Sequence, residues 1–301
     1  LGIFGFGFIS DFGFRYSSFF FGGAAMRVIH TIMSMLPYAW AQLEFMQLAL
    51  LAVLLASPLY AVLGCLVVNS RMAFFSEAIG HAALTGVALG TLAGLTDPTP
   101  AVLLFAALLA LLIAWLRKSS AVSSDTIIGL VMAGAVALGV VLLSRGGGFS
   151  RYTHFLIGDI LTITPAELAR LAVLAVATLL IWAALFNRLF LATLHPALAR
   201  SRGVNVWAIE ALFAVVIALV VAMSIAWIGL LVINSLLILP AAAARNLARS
   251  AAAYLGLALL FSVVAGVAGL ILSFYAATAT GATIVLVALA LFVLTLPWRR
   301  R

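Results

Sequence analysis

Glu77 and His81 stand four residues apart in the run FFSEAIGHAALTGVALG. On an α-helix that spacing leaves the two side chains about 40° apart and one turn up, so carboxylate and imidazole converge on one face. Ionisable groups inside an apolar span are expensive and tend to line a path or find a partner. A carboxylate oxygen beside an imidazole nitrogen suits zinc, and manganese and iron also accept that donor set. The same pair can equally act as a clamp that satisfies itself against a neighbouring helix. Two ligands also fall short of the roughly four that zinc usually takes, and a symmetry mate could supply the rest. Thr85 continues the Glu77–His81 face as a candidate pore-lining residue. Gly86, Gly90 and Gly94 repeat at four-residue spacing on the broadly opposite face, as a candidate packing stripe that lets another helix approach.

The elements that must position this pair are helices in a membrane. The 301 residues are 66% hydrophobic and only 8% charged, with a mean hydropathy of +1.31. A soluble chain carries roughly 25% charged residues, and a chain this apolar could not cover its surface in water. Lipid removes that demand. Apolar runs long enough to span lie at about 46–69, 74–96, 100–117, 126–144, 166–187, 206–227, 229–244, 251–273 and 282–298. They predict an all-α, polytopic transmembrane bundle of about eight to nine spans, without a soluble domain. Two stretches read as broken helix: the segment around Pro240 in GLLVINSLLILPAAAARNLAR, and the link FLIGDILTITP. Asn234 and Ser235, in the first of these, are helix-bridging polar groups and candidate pore-lining residues.

The net charge is +8, yet the basic residues sit singly or in pairs between apolar runs. That is the pattern of membrane loops, not of a solvated nucleic-acid face. Arg71, Arg117 with Lys118, the links from Arg188 to Arg202 and from Arg245 to Arg249, and the arginine tail follow alternate spans. This places them in the cytoplasm and Asp97 outside. Residues 1–40 differ in texture, with a start rich in Phe, Gly and Ser that lacks a helical period. We read them as an extension outside the core and 41–301 as the transmembrane domain. Cys65 is the single cysteine, which excludes an internal disulfide or a cysteine metal cluster.

Energy for any pumping must come from outside this chain. A P-loop requires GxxxxGK[ST], and the single lysine, Lys118, sits in AWLRKSS without the glycine the motif needs. No HExxH protease spacing is present either. Between two spans, Pro196 can start and Gly203 can end a short helix. The segment His195, Pro196, Ala197, Leu198, Ala199, Arg200, Ser201, Arg202 and Gly203 is therefore either a docking surface for a soluble partner or an ordinary positive-inside loop.

Six ordered stretches carry a resemblance: RMAFFSEAIGHAALTGVALG, SSDTIIGLVMAGAVALGVVLLS, FLIGDILTITP, ARSRGV, GLLVINSLLILPAAAARNLAR and TGATIVLVALALF. Over about residues 45–298 the chain resembles the permease subunit of bacterial ATP-binding-cassette importers for zinc, manganese and iron. The resemblance implies a multi-pass protein of the plasma membrane, paired with a second permease subunit. It implies cytoplasmic ATPase subunits docked on the Pro196–Gly203 link and an extracytoplasmic metal-binding protein. The divalent ion is cargo, and no permanently bound cofactor is expected. The family's D-x-x-x-H motif, whose aspartate and histidine meet the cation, falls on Glu77 and His81. Glutamate for aspartate keeps the charge and adds a methylene. His195 stands where the family often has an acidic residue. A gradient-driven secondary transporter or channel for divalent cations is the alternative, sharing the intramembrane pair without needing a dock.

Overall fold

The computed structural model describes residues 39–146, 159–194, 196–203 and 205–298. Residues 1–38, the first four of FLIGDILTITP, His195 and the arginine tail lie outside the described residues. Ten α-helices occur among the described residues: α1 (Glu44–Asn69), α2 (Phe75–Leu92), α3 (Thr99–Ser119), α4 (Ser124–Gly146), α5 (Pro165–Leu194), α6 (Pro196–Ser201), α7 (Val206–Ile228), α8 (Leu230–Leu247), α9 (Ala251–Ala276) and α10 (Thr280–Thr295). Every regular element among these residues is helical, as the composition demands in a solvent that cannot bond to an open backbone.

Among the described residues, eight helices are long and apolar enough to cross a membrane: α1, α3, α4, α5, α7, α8, α9 and α10. Of the nine apolar runs, the one outside this set is α2, which carries Glu77 and His81. At about 1.5 Å per residue it is still long enough to traverse most of the hydrocarbon core. The chain is a multi-pass membrane protein. Residues 39 and 40, grouped with the extension by sequence, belong to a 3-10 turn, Ala39–Gln42, packed on α1. Gln47 Nε2 donates to the Ala41 carbonyl across 2.7 Å.

Helix ends carry their own signals. Thr164 and Glu167 form a capping box at the start of α5: Glu167 Oε2 accepts from the Thr164 N–H, and Thr164 Oγ1 accepts from the Glu167 N–H. Asn205 Oδ1 caps α7 by accepting from Ala208 N–H, and Ser250 Oγ caps α9 by accepting from Ala253 N–H. Each such cap contributes about 1 kcal/mol.

The expected break at Pro240 does not occur. α8 runs unbroken through Pro240 to Leu247, and the chain turns instead at Gly229, the one residue between α7 and α8. Gly229 has φ 87° and ψ 148°, a conformation essentially reserved for glycine. Pro240 is tolerated because neighbouring helices enclose it: it is buried, with Ala241 and Leu237 beside it fully buried too.

The helices sort into two packed groups. In one, α8, α9 and α10 pack on one another, and α8 and α9 also pack on α1. In the other, α2 packs on α3 and α4, and α7 packs on α3 and α2. α5 touches both, through α1 and α7. α1, α7 and α8 bury more than half of their apolar windows, whereas α3, α4, α5, α9 and α10 bury a third or less. Leu104, Leu130, Leu180 and Leu286 point outward from those peripheral helices. In water they would form an aggregation-prone surface; in acyl chains they are solvated.

Candidate metal-pathway site

The site is built on α2. Its glycines bring neighbouring backbones close: a Cβ on Gly86 would lie 2.6 Å from Val102 Cα on α3, and one on Gly90 would lie 3.1 Å from Pro98 Cα. A side chain on Gly80 would overlap Leu230 of α8. From the far side, Gly139 of α4 fits against Thr85, whose hydroxyl donates to the Ala135 carbonyl. α2 is therefore wedged between α3, α4 and the start of α8, with Phe75, Ile79 and Ala78 fully buried.

Glu77 and His81 lie on the part of α2 that this packing leaves open. Their side chains are each 40% exposed, and His81 Nε2 is 3.9 Å from Glu77 Oε1. That exposure bears on how the pair is housed within the subunit. No helix of the same chain seals the pair off, and both side chains are partly open at the surface of the single subunit. At 3.9 Å the groups are neighbours without a tight hydrogen bond, and the distance leaves both with free lone pairs. Among the described residues no group of three or more His, Cys, Asp or Glu side chains could hold an ion. One chain thus offers two ligands, and a further copy or water would have to complete a coordination shell.

Three sequence expectations change. Thr85 does not share the open face; it is fully buried and bonded to α4, because the two groups flanking it, Ala135 and Gly139, are small enough to admit that helix. Gly94 is no packing residue. α2 ends at Leu92, and Gly94 sits beyond it at φ 73° with open space around it. Its N–H donates to the Thr91 carbonyl while Leu95 N–H donates to Gly90, the pattern of a glycine that ends a helix in left-handed conformation. Ser235 is buried, and its hydroxyl donates to the Val232 carbonyl in its own helix, so it lines nothing. Asn234 is half-buried, and its Oδ1 is enclosed without a hydrogen-bond partner.

The link helix α6 exists, from Pro196 to Ser201. Ala197, Leu198, Arg200, Ser201, Arg202 and Gly203 are exposed, and Ala199 is fully buried. A short helix held by one small buried residue and open elsewhere can receive another protein. Gly203, at φ 73°, terminates it.

Sequence reasoning passed over Arg117. Its guanidinium reaches Ser124, Met72 and Ser70. Its place beside Lys118 in a basic link suggested only orientation in the membrane, and no local pattern announces contacts to residues so distant in sequence.

The ABC 3 transport family profile matches residues 42–298. The chain is 34% identical over 258 residues to the high-affinity zinc uptake system membrane protein of Haemophilus influenzae, covering 84% of this chain and 97% of that one. It is 33% identical over 267 residues to a manganese transport system membrane protein of Halalkalibacterium halodurans, covering 87% and 91%. Among solved structures, PsaBC from Streptococcus pneumoniae in complex with Fab aligns with a TM-score of 0.72 at 29% identity, over 84% of this chain and 91% of that one. A putative metal-chelate type ABC transporter in an inward-facing conformation aligns at 0.66 and 18% identity, a likeness of fold alone. With a family profile spanning nearly the whole bundle and relatives matched along almost their full length, the chain belongs to the ABC 3 transport family.

Proposed function

We propose that this chain is the membrane-spanning permease subunit of an ATP-driven importer for a divalent transition-metal ion: zinc, manganese or iron. The carrying observation is the Glu77–His81 pair, each side chain 40% exposed on a helix otherwise packed tightly by glycine. Relatives named for zinc and manganese transport support the cargo class. An ion in transit needs ligands strong enough to replace part of its water and few enough to let it go. One carboxylate and one imidazole per subunit, facing a second copy, meet both needs.

The chain carries no P-loop with which to bind ATP, so the ATPase belongs to a separate subunit. In this reading, cytoplasmic ATPase subunits dock on α6 through its exposed face, with Arg200 and Arg202 at its end. An extracytoplasmic metal-binding protein delivers the ion. The experiment is co-expression with the ATPase subunit, purification and reconstitution in vesicles, followed by ATP-dependent uptake of each metal. Uptake that requires ATP inside the partner's compartment is the expected result. Uptake driven by an ion gradient with no ATPase present would establish the secondary-transporter alternative instead.

A further inference from the structure

The turn joining α1 to α2 is strained. Arg71 adopts φ 53°, a left-handed conformation that costs a residue with a Cβ about 1–2 kcal/mol. Its N–H donates to the Val68 carbonyl at 3.3 Å, and Met72 N–H donates to Val67 at 3.1 Å. This is the helix-ending pattern in which glycine normally occupies Arg71's position. Five residues beyond Met72 comes Glu77, in the first turn of α2.

One side chain from another helix holds that turn. Arg117, in the last turn of α3, donates from Nη2 to the Ser70 carbonyl at 3.4 Å, and its Nη1 lies 3.0 Å from Met72 Sδ. Met72 is itself almost wholly buried. The third nitrogen, Nε, donates to Ser124 Oγ at 3.0 Å, at the start of α4. A planar guanidinium fork serves three partners in fixed relative positions, which an ammonium on a flexible stem cannot reproduce.

The same turn of α3 also receives the start of α7. Trp207 Nε1 donates to the Ala114 carbonyl at 3.3 Å, and Lys118 Nζ lies 4.9 Å over the Trp207 ring. Trp207 is in the first turn of α7, a few residues after α6. The last turn of α3 is thus gripped on one side by the segment that follows the link helix. On the other it grips the turn from which α2 departs.

We propose that Arg117 is a positioning residue that carries displacement of α6 and the start of α7 into the α1–α2 turn, and so sets the position of the Glu77–His81 pair. The proposal rests on the reading of the chain as a permease driven by ATPase subunits. The strain at Arg71 gives the mechanism its purchase. A turn held away from its preferred conformation relaxes when its restraint moves, so a small shift of Arg117 becomes a change in the direction of α2.

The test uses the complete reconstituted complex in a Cys65→Ser background. Spin labels at Leu92 and Leu272 report α2 against the C-terminal end of α9, and labels at Ser201 and Arg249 report α6 against the opposite, N-terminal end of the same helix. All four positions are exposed. In the wild type, both distances are expected to change when a non-hydrolysable nucleotide is added. In Arg117→Gln, the α6 change persists, the α2 change is lost, and metal moved per ATP falls about tenfold. Arg117→Lys is expected to recover only part of this. The joint is overturned if α2 responds to nucleotide in Arg117→Gln as in the wild type, or if neither wild-type distance changes. It is also overturned if ATPase activity, uptake and melting temperature fall together with metal per ATP unchanged, the signature of a merely structural role. Should Arg117→Gln fail to assemble, Ser124→Ala and Trp207→Phe decide, since each removes one contact. A lower metal-per-ATP ratio in either supports the joint, and wild-type ratios in both overturn it. If the wild type shows the α2 movement but moves no metal, the reading of cargo fails while the joint stands.

Discussion

The two helix groups solve opposite problems. In the group of α1, α8, α9 and α10, polar atoms are spent on joining helices. Ser57 Oγ donates to the Ser262 carbonyl at 3.4 Å and Ser262 Oγ donates back to the Ser57 carbonyl at 3.1 Å. Asn246 Nδ2 donates to Thr295 Oγ1 at 3.0 Å, and Ser273 and Thr280 share a bond of 3.1 Å. Gly64 lets α1 meet the Leu237 carbonyl of α8 so closely that no Cβ fits. In the group of α2, α3, α4 and α7, α2 leaves polar atoms without such partners. Glu77 and His81 open outward, and Ser76 Oγ is buried with no hydrogen bond. The bonds between helices mark the first group as the scaffold, and its exception is Asn234 Oδ1 on α8, which is enclosed without a partner. Ionisable side chains in a membrane helix that find no partner within their own subunit tend to line a path for an ion.

The largest expected effect tests the open pair. Glu77→Gln and His81→Ala should each lower metal uptake by at least about 100-fold, more than loss of an outer partner of a metal ligand usually costs. Melting temperature and ATPase binding should stay near the wild type. Glu77→Asp, which keeps the oxygen ligand, should retain uptake. Normal uptake in either removal variant, measured with radiolabelled or elemental analysis, would remove the pair from the pathway.

The next effect belongs to the scaffold. Gly64→Ala places a methyl group against a backbone carbonyl that has nowhere to go, and should destabilise the chain by about 1–3 kcal/mol. Thermal unfolding in detergent should show it, with uptake per folded molecule unchanged. An unaltered melting temperature would mean that α1 and α8 are not held at this distance.

A comparable clash on the other side sharpens the contrast. In Gly86→Ala the new Cβ would sit 2.6 Å from Val102 Cα, so α2 must shift or tilt. Because α2 carries the pair, uptake per folded molecule should fall along with stability, unlike in Gly64→Ala. Equal behaviour of the two variants in paired uptake and melting assays would erase the distinction between the groups.

The smallest effect is the reciprocal serine bond. Ser57→Ala and Ser262→Ala should each cost about 0.6 kcal/mol. The double variant should cost less than twice that if the two hydroxyls act as one unit, which a double-mutant cycle on unfolding measures.

Much of this was legible in the residues, and the misreadings have a common form. The apolar runs located the helices, and the spacing of Glu77 and His81 placed both on one face. Gly86 and Gly90 were recognised as contact residues. Thr85 was misplaced because four-residue spacing describes a face only approximately, and the approach of α4 at Ala135 and Gly139 settled which side of that face it joined. Gly94 was misread because periodicity cannot tell the last turn of a helix from its cap. Pro240 reads as a break in the sequence because the local rule does not include the neighbours that make an interrupted ladder tolerable. Arg117 was missed because its partners, Ser70, Met72 and Ser124, come together only across two turns.

The sequence by itself determined that this chain lives in lipid, that about eight to nine helices are apolar enough to cross, and which helix is too polar to be mere membrane filling. Those are sums of local transfer energies, and each residue contributes to them wherever it sits. Only the tertiary structure decided which faces meet. Between helices already in a bilayer there is no hydrophobic gain to be had, because acyl chains are as apolar as leucine. Pairing then depends on steric fit and hydrogen bonds between residues far apart in the chain: Gly64 against Leu237, Ser57 with Ser262, Arg117 on the turn before α2. No single-residue property encodes such a fit, which is a relation between two surfaces and exists only once the helices have been brought together.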